Sequence, residues 1–270
     1  MTSLETKNPK KSSGEMLAAS ETVTQMAQKF RLPTVARELS RRFIERGYHE
    51  ALETLAEVFE LETQDRLERR IERLRKAAKL PPDKTFDTLD WARYPKPLQA
   101  KFKTLSVGDF VDRAENVIAF GLPGVGKTHV AAAIGHALVA EGRSVYYTPT
   151  FKLIQELLAS KRDLDLPRML RKLDNFDALI LDDIGYTRQS EEEIEVLFTL
   201  LAERYERKSV IITSNLVFSQ WEQIFKNPMT TAAAIDRVVH HAVILEFKAP
   251  SYRAEKAKVK KGDNPVPDET

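Results

Sequence analysis

The segment Gly121–Thr128, GLPGVGKT, sets three glycines and a proline ahead of a lysine and a threonine, with the apolar run NVIAF (116–120) before it and a helix-forming stretch after it. No other feature restricts the fold as strongly. Glycine reaches left-handed and otherwise strained backbone conformations, so Gly121, Gly124 and Gly126 allow successive N–H groups to converge on one anion without a Cβ in the way. A helix starting near Lys127 adds its positive dipole end. Between a strand and a helix this pattern reads as a phosphate loop, with Lys127 reaching the β- and γ-phosphates and the Thr128 hydroxyl ligating a magnesium ion. The ATP-binding set is Gly121, Leu122, Pro123, Gly124, Val125, Gly126, Lys127, Thr128 and His129. An accidental flexible turn is the competing reading. At an average glycine usage of about 7%, the four fixed positions coincide in roughly 1% of chains this long, which favours the loop.

Around the loop, five short runs alternate with long amphipathic segments: NVIAF, SVYYT (144–148), ALILDD (178–183), VIITS (210–214) and AVILEF (242–247). Apolar strands separated by helices predict an α/β fold with a parallel, doubly wound sheet. Upstream the texture is helical, with apolar residues spaced by three and four at Val35, Leu39 and Phe43, then Leu52, Leu55 and Phe59. Pro81 and Pro82 end that pattern and place a domain boundary near Pro81. The expected organisation is a disordered leader (1–18), a helical DNA-binding or assembly domain (19–80), a linker packing on the ATPase core (81–115), the ATPase domain (116–256) and a disordered tail (257–270). In the linker, Phe86 or Trp91 either approaches the adenine or plugs the segment onto the sheet.

Composition narrows the function classes. No apolar run approaches the roughly 18 residues needed to span a bilayer, and the first residues lack the apolar core of a secretory signal. The expectation is a soluble intracellular protein. The absence of cysteine excludes disulfides and thiolate metal sites. With 42 Lys and Arg against 40 Asp and Glu, any nucleic-acid surface has to be local. The helix expected over 65–79 sorts Arg66, Arg69, Arg70, Arg73 and Lys76 onto one stripe and Leu67, Ile71, Leu74 and Ala78 onto another, with Glu72 at the border. A solvated face with arginines paired to glutamates is one reading, slightly favoured by charge alone, and a grip on the DNA backbone is the other. RMLRK (168–172) is the next basic candidate.

The remaining motifs decide what the loop serves. Asp182 and Asp183 end a buried strand at the edge where open α/β sheets bind ligands. Asp182 would hold the metal through a water, and Asp183 would orient and deprotonate the attacking water. Asn215 ends the next strand, where it could hold that water or touch the γ-phosphate and, without excluding either role, cap the following helix. Arg237 precedes the last strand, as a catalytic group or as an ordinary ion pair with a neighbour such as Asp236. His240 and His241 look like a metal cue but read as structural, since neighbours on a helix point about 100° apart and no carboxylate cluster completes a site.

Taken together, GLPGVGKT, LILDDIGY, IITSN, DRVVHHA and SYR resemble, in this order and spacing, the AAA+ ATPases of the IstB and DnaC group. The closer match is the IstB family, helpers of transposition encoded beside the IstA transposase. The similarity covers roughly residues 25–255, including RLPTVARELSRR. It implies a five-stranded AAA+ ATPase preceded by a small helical domain, cytoplasmic and bacterial, using ATP and Mg2+. It further implies a homo-oligomeric ring or spiral on duplex DNA that recruits or stimulates an IstA-type transposase. Arg237 is similar in place to the finger that reaches a neighbour's γ-phosphate, and Arg253 of SYR to the second sensor. Which of the two is the finger stays open, because no helical lid follows Arg253. A second departure is Asp183, where the wider pattern has Glu; the loss of one methylene withdraws the carboxylate by ~1.5 Å and predicts slow, DNA-stimulated hydrolysis. The alternatives are a helicase loader of the DnaC type and an ATP-gated DNA scaffold with vestigial hydrolysis, with a small-molecule kinase third.

Overall fold

The computed structural model describes residues 13–185, 190–221, 224, 228–248 and 251–252. The chain divides into two compact units, Met1–Arg70 and Ile71–Thr270. The first contains α1 (Ser13–Lys29), α2 (Pro33–Glu45) and the start of α3 (His49–Ala78). Pro33 sits in the first turn of α2, where its missing N–H costs nothing. The buried centre is Val23, Leu52 and Ala56, with Leu39, Phe43, Leu55 and Phe59 packed around it, as the helical spacing predicts. Helix α1 occupies residues 13–18 of the expected leader; residues 1–12 and the expected tail 257–270 lie outside the described residues.

The second unit begins within α3, because Ile71, Leu74 and Ala78 join its core, and the boundary expected near Pro81 lies inside it. Leu67, expected on the same stripe, belongs to the first unit and is half exposed. After a 3-10 turn (Trp91–Arg93), α4 (Lys96–Val107) and α5 (Asp109–Asp112) lead into β1 (Asn116–Gly121). There follow α6 (Lys127–Ala140), β2 (Val145–Pro149), α7 (Thr150–Arg162), α8 (Leu166–Asp174), β3 (Ala178–Ile184), α9 (Glu191–Arg204), β4 (Ser209–Ser214), a second 3-10 turn (Phe218–Gln220), α10 (Pro228–Val239) and β5 (Ala242–Phe247).

The five strands form one parallel sheet in the order β2-β3-β4-β1-β5. Successive side chains of a strand face opposite layers, and both layers are apolar here. Ile118, Leu179, Leu181 and Ile212 join a core with Leu153 and Leu157 of α7 and Leu197 of α9. Val117, Ala119, Ile180 and Ile211 join the other core, with Phe102 of α4 and Ile134 and Leu138 of α6. Burying each such Ile or Leu stabilises the fold by about 1.5–3 kcal/mol. Helix α6 approaches the sheet closely: a Cβ on Gly135 would lie 2.7 Å from both Ile180 Cδ1 and Leu80 Cδ2. Helix α9 starts at a capping box, Ser190 Oγ accepting from Glu193 N–H and Glu193 accepting from Ser190 N–H.

One irregularity bears on the site. Leu181 pairs with Ile212 and Ile184 with Ser214, so β3 carries an extra residue against β4 at the acidic pair. That is a β-bulge, and Asp183 has φ 62° there.

Candidate phosphate-binding site

Strand β4 lies between β1 and β3, so the residue after its carboxyl end, Asn215, falls between the loop that follows β1 and the acidic end of β3. The loop has the predicted backbone, with Gly124 at φ 80° and Gly126 at φ 99° immediately before α6. A Cβ on Gly126 would collide with the Tyr94 hydroxyl, and one on Gly121 with the Phe247 carbonyl oxygen. The loop is held from outside by the Tyr94 hydroxyl, which donates to Val125 O at 3.2 Å, and by Tyr252 N–H, which donates to Gly124 O at 3.0 Å.

Lys127 is buried at 6% exposure. Its ammonium donates to Gly121 O (2.8 Å), Leu122 O (2.9 Å) and Asn215 Oδ1 (2.7 Å). The other end of the Asn215 amide donates to Asp183 Oδ1 at 2.7 Å. One amide thus joins the loop cation to the acid on β3.

Pro123 through His129, Asp183, Thr213 and Asn215 line a cavity of about 350 Å³ that Lys84, Thr88, Leu89, Asp90, Arg93, Tyr94 and Tyr252 complete. Gly121 and Leu122 meet Lys127 through their carbonyls instead of lining it. His129 Nε2 lies 2.9 Å from Thr85 O and 3.2 Å from Thr88 Oγ1, which fastens the preceding segment to the start of α6. Phe86 and Trp91 do not line the cavity; their rings stack at 5.5 Å and Trp91 Nε1–H donates to Phe86 O, so the plug reading of these aromatics is the one observed.

Asp182 stands behind the cavity wall. Its Oδ1 accepts from the Thr213 hydroxyl and its Oδ2 from the Tyr147 hydroxyl, both at 2.7 Å, and its backbone carbonyl accepts from the Thr150 hydroxyl at 2.9 Å. Thr213 Oγ1 also accepts from Asp183 N–H at 2.7 Å. Burial and the Asp182 carboxylate push the Tyr147 phenol well above its ordinary range, so it stays a donor. The motifs did not single out Tyr147 or Thr213, although Thr213 sits inside IITSN two residues before Asn215. The signal was available for Thr213, on the same strand edge, and not for Tyr147, which depends on which strand pairs with β3. The side chains of Thr128, Asp182 and Asp183 offer only oxygen, the donor chemistry a hard divalent cation takes.

Other candidates sit elsewhere. Arg237 does not line this cavity; its guanidinium lies 4.5 Å over the Phe198 ring of α9, it makes no ion pair among the described residues, and its buried Nη1 has no hydrogen-bond partner. Arg253 lies outside the described residues. His240 and His241 fall beyond the end of α10, so the helical-phase argument does not apply to them, and the expected absence of a carboxylate is corrected: Glu206 joins them in an exposed group whose ligand atoms lie within 4.8 Å of one another, with His241 Nε2 3.9 Å from Glu206 Oε1. On α3, Arg66 pairs with Glu62 (2.6 Å), Arg69 with Asp65 (3.2 Å) and Lys76 with Glu72 (3.6 Å), and Arg70 and Arg73 also have partners. On α8, Arg168, Arg171 and Lys172 are exposed and make no ion pair among the described residues. No described helix is long and apolar enough to cross a membrane.

A family model described as IstB-like ATP binding protein matches residues 25–260. An insertion-sequence ATP-binding protein of Sinorhizobium fredii is 41% identical over 236 residues, covering 86% of this chain and 79% of the relative. The insertion sequence IS21 ATP-binding protein of Pseudomonas aeruginosa is 38% identical over 221 residues, covering 80% and 83%. Among solved structures, the DnaC helicase loader superposes with a TM-score of 0.53 at 20% identity, covering 62% of this chain and 98% of that one. AMPPCP-bound DnaA from Aquifex aeolicus superposes with a TM-score of 0.52 at 16% identity, covering 71% and 58%. These two likenesses concern the fold alone.

Proposed function

The chain belongs to the family of IstB-like ATP-binding proteins, and from that premise we propose that it hydrolyses ATP as a subunit of a self-assembly on duplex DNA, where it recruits or stimulates an IstA-type transposase. The observation that carries the reading is the chain of contacts from Lys127 through Asn215 to Asp183 at the cavity wall.

The Lys127 ammonium donates to two loop carbonyls and to the Asn215 amide oxygen. A triphosphate in the loop offers oxygens in exchange, at the mouth of the α6 dipole. The Asn215 amide that meets this ammonium also donates to Asp183 Oδ1 and positions that acid. Asp183 then accepts the proton of the attacking water, and the bulge in β3 turns its short side chain toward the cavity. A magnesium ion, when bound with the nucleotide near Thr128, supplies charge neutralisation of the β- and γ-phosphates. Hydrolysis remains incomplete within one subunit, since Arg237 lies away from the cavity of its own chain. A finger delivered by a neighbour fits a guanidinium that is already held on an aromatic face with one buried nitrogen unpartnered.

For DNA, the α3 stripe of Arg66, Arg69, Arg70, Arg73 and Lys76 remains the proposed backbone grip. Its exposed ion pairs at helical spacing are each worth only about 0.3–0.5 kcal/mol, so phosphates can replace the carboxylates. The scaffold reading is second. It is favoured by the short acid at position 183, where the resembled pattern has Glu.

The deciding experiment measures ATP hydrolysis with and without duplex DNA, images the DNA complex by electron microscopy, and tests capture of an IstA-type transposase. DNA-stimulated turnover abolished by Lys127→Ala supports the proposal. An absence of magnesium-dependent ATP affinity sinks it. Stable assemblies with undiminished lifetime when turnover is blocked by Asp183→Asn select the scaffold.

A further inference from the structure

Each hydroxyl proton at the Asp182 carboxylate is accounted for. The Tyr147 phenol has one proton and donates it to Oδ2, while the Thr213 hydroxyl donates its single proton to Oδ1 and takes Asp183 N–H on its lone pair. Tyr147 is on β2, Asp182 on β3 and Thr213 on β4, so three adjacent strands converge on one carboxylate. Thr213 is 1% exposed, so its hydroxyl contacts are made almost wholly within the protein. Thr150 fixes the backbone of the same residue. A carboxylate oxygen has two acceptor sites, and one on each oxygen is now used. The remaining pair has a set direction.

We propose that Tyr147 and Thr213 are positioning residues that hold the Asp182 carboxylate so that its remaining lone pairs accept from the water shell of a divalent cation carried by the nucleotide. The inference rests on the ATP reading of the cavity and adds how its metal is oriented: a fixed carboxylate one layer behind the wall accepts from coordinated water and does not replace it. Magnesium, which sheds water reluctantly, suits such a site. Thr213 has a second effect, because the same oxygen that holds Asp182 holds the amide of Asp183. Removing it loosens the metal-holding and the water-activating acid together, whereas removing the Tyr147 hydroxyl loosens only the first.

The test compares Tyr147→Phe, Thr213→Val and Thr213→Ser with the parent, using Mn2+ as the probe and a non-hydrolysable ATP analogue. Binding of the analogue is measured in EDTA and again across a Mn2+ titration, with bound Mn2+ read by electron paramagnetic resonance; thermal melts check folding. Tyr147→Phe is expected to weaken Mn2+ in the ternary complex by up to about 10-fold with analogue affinity in EDTA unchanged, and Thr213→Val to weaken Mn2+ at least as much. Thr213→Ser, which keeps the hydroxyl, is expected to restore Mn2+ affinity to near the parent's. Unchanged Mn2+ affinity in Tyr147→Phe, or an equal loss with and without metal, overturns the proposal. A parent with no metal-dependent gain at all overturns the ATP reading beneath it, a different result from a parent that gains and variants that gain equally.

Discussion

The Lys127 ammonium and the Asn215 amide oxygen lie 2.7 Å apart, although 88 residues separate them in the chain. The strand order brings them together, with β4 beside β1 on one side and β3 on the other. Replacing Asn215 by Ala removes the link to both Lys127 and Asp183. Turnover is expected to fall by about 10²-fold, the scale of losing one well-placed donor, while nucleotide affinity changes little. Phosphate release and equilibrium binding separate these; a larger fall in affinity than in turnover contradicts the assignment.

Gly126 has two reasons to be glycine, its φ of 99° and the Tyr94 hydroxyl where a Cβ would stand. Gly126→Ala is expected to lose nucleotide binding by 10-fold or more, the strain of a forbidden conformation costing about 1–3 kcal/mol. Combining it with Tyr94→Phe removes only the clash. Isothermal titration showing full recovery in the double variant would mean that the backbone conformation is unimportant.

Arg237→Ala is expected to leave nucleotide binding intact and to reduce assembly-dependent hydrolysis by about 10³-fold, as for an arginine supplied across an interface. Mixing decides the direction of supply. Subunits carrying Lys127→Ala provide an intact Arg237, so blending them with Arg237→Ala subunits should recover part of the activity; no recovery at any ratio places the residue's effect within its own subunit.

The two basic surfaces differ in their partners. Arg69 on α3 faces Asp65 and Arg73 is likewise partnered, whereas Arg168 and Arg171 on α8 make no ion pair among the described residues. Charge reversal of Arg69 and Arg73 is expected to reduce the salt slope of DNA binding by about 0.9 per lost phosphate contact. A slope altered only by reversal of Arg168 and Arg171 transfers the DNA surface to the ATPase unit.

Asp177 gives a pH dependence. Burial alone would raise its carboxyl, but the Ser144 amide and hydroxyl and the Lys208 ammonium outweigh burial and hold it below the ordinary value. A depressed folded value contributes stability that is present above the unfolded carboxyl pKa of about 3.9 and is lost as pH falls through the folded one. Asp177→Asn should therefore be destabilised at neutral pH and show a flatter decline than the parent below about pH 4. Melting curves that stay parallel across that range would refute this.

The parts of the fold written in local chemistry were legible. The phosphate loop, the five apolar runs and the helical spacing of the first unit each announce themselves within a dozen residues. The residues that escaped notice act across strands: Tyr147 meets Asp182 only because β2 and β3 are neighbours, and Tyr94 supports the loop only because the preceding segment folds back over it. The unit boundary was hidden for a related reason. Helix α3 continues unbroken past Arg70, and only the core that Ile71 and Leu74 enter separates the two units. The pair His240 and His241 escaped a correct local reading because nothing nearby in the sequence marks the end of α10 at Val239.

The extra residue in β3 ties side-chain length to backbone length. A shorter acid at position 183 is presented by a strand made longer by one step, so the reach to Asn215 is a sum of two quantities that have to be altered together. Lengthening the acid to the glutamate common elsewhere, while the additional residue stays, would drive its carboxylate past the amide it now meets. Grafting this edge onto a related core calls for moving the whole stretch from Leu181 to Ile184 as one cassette.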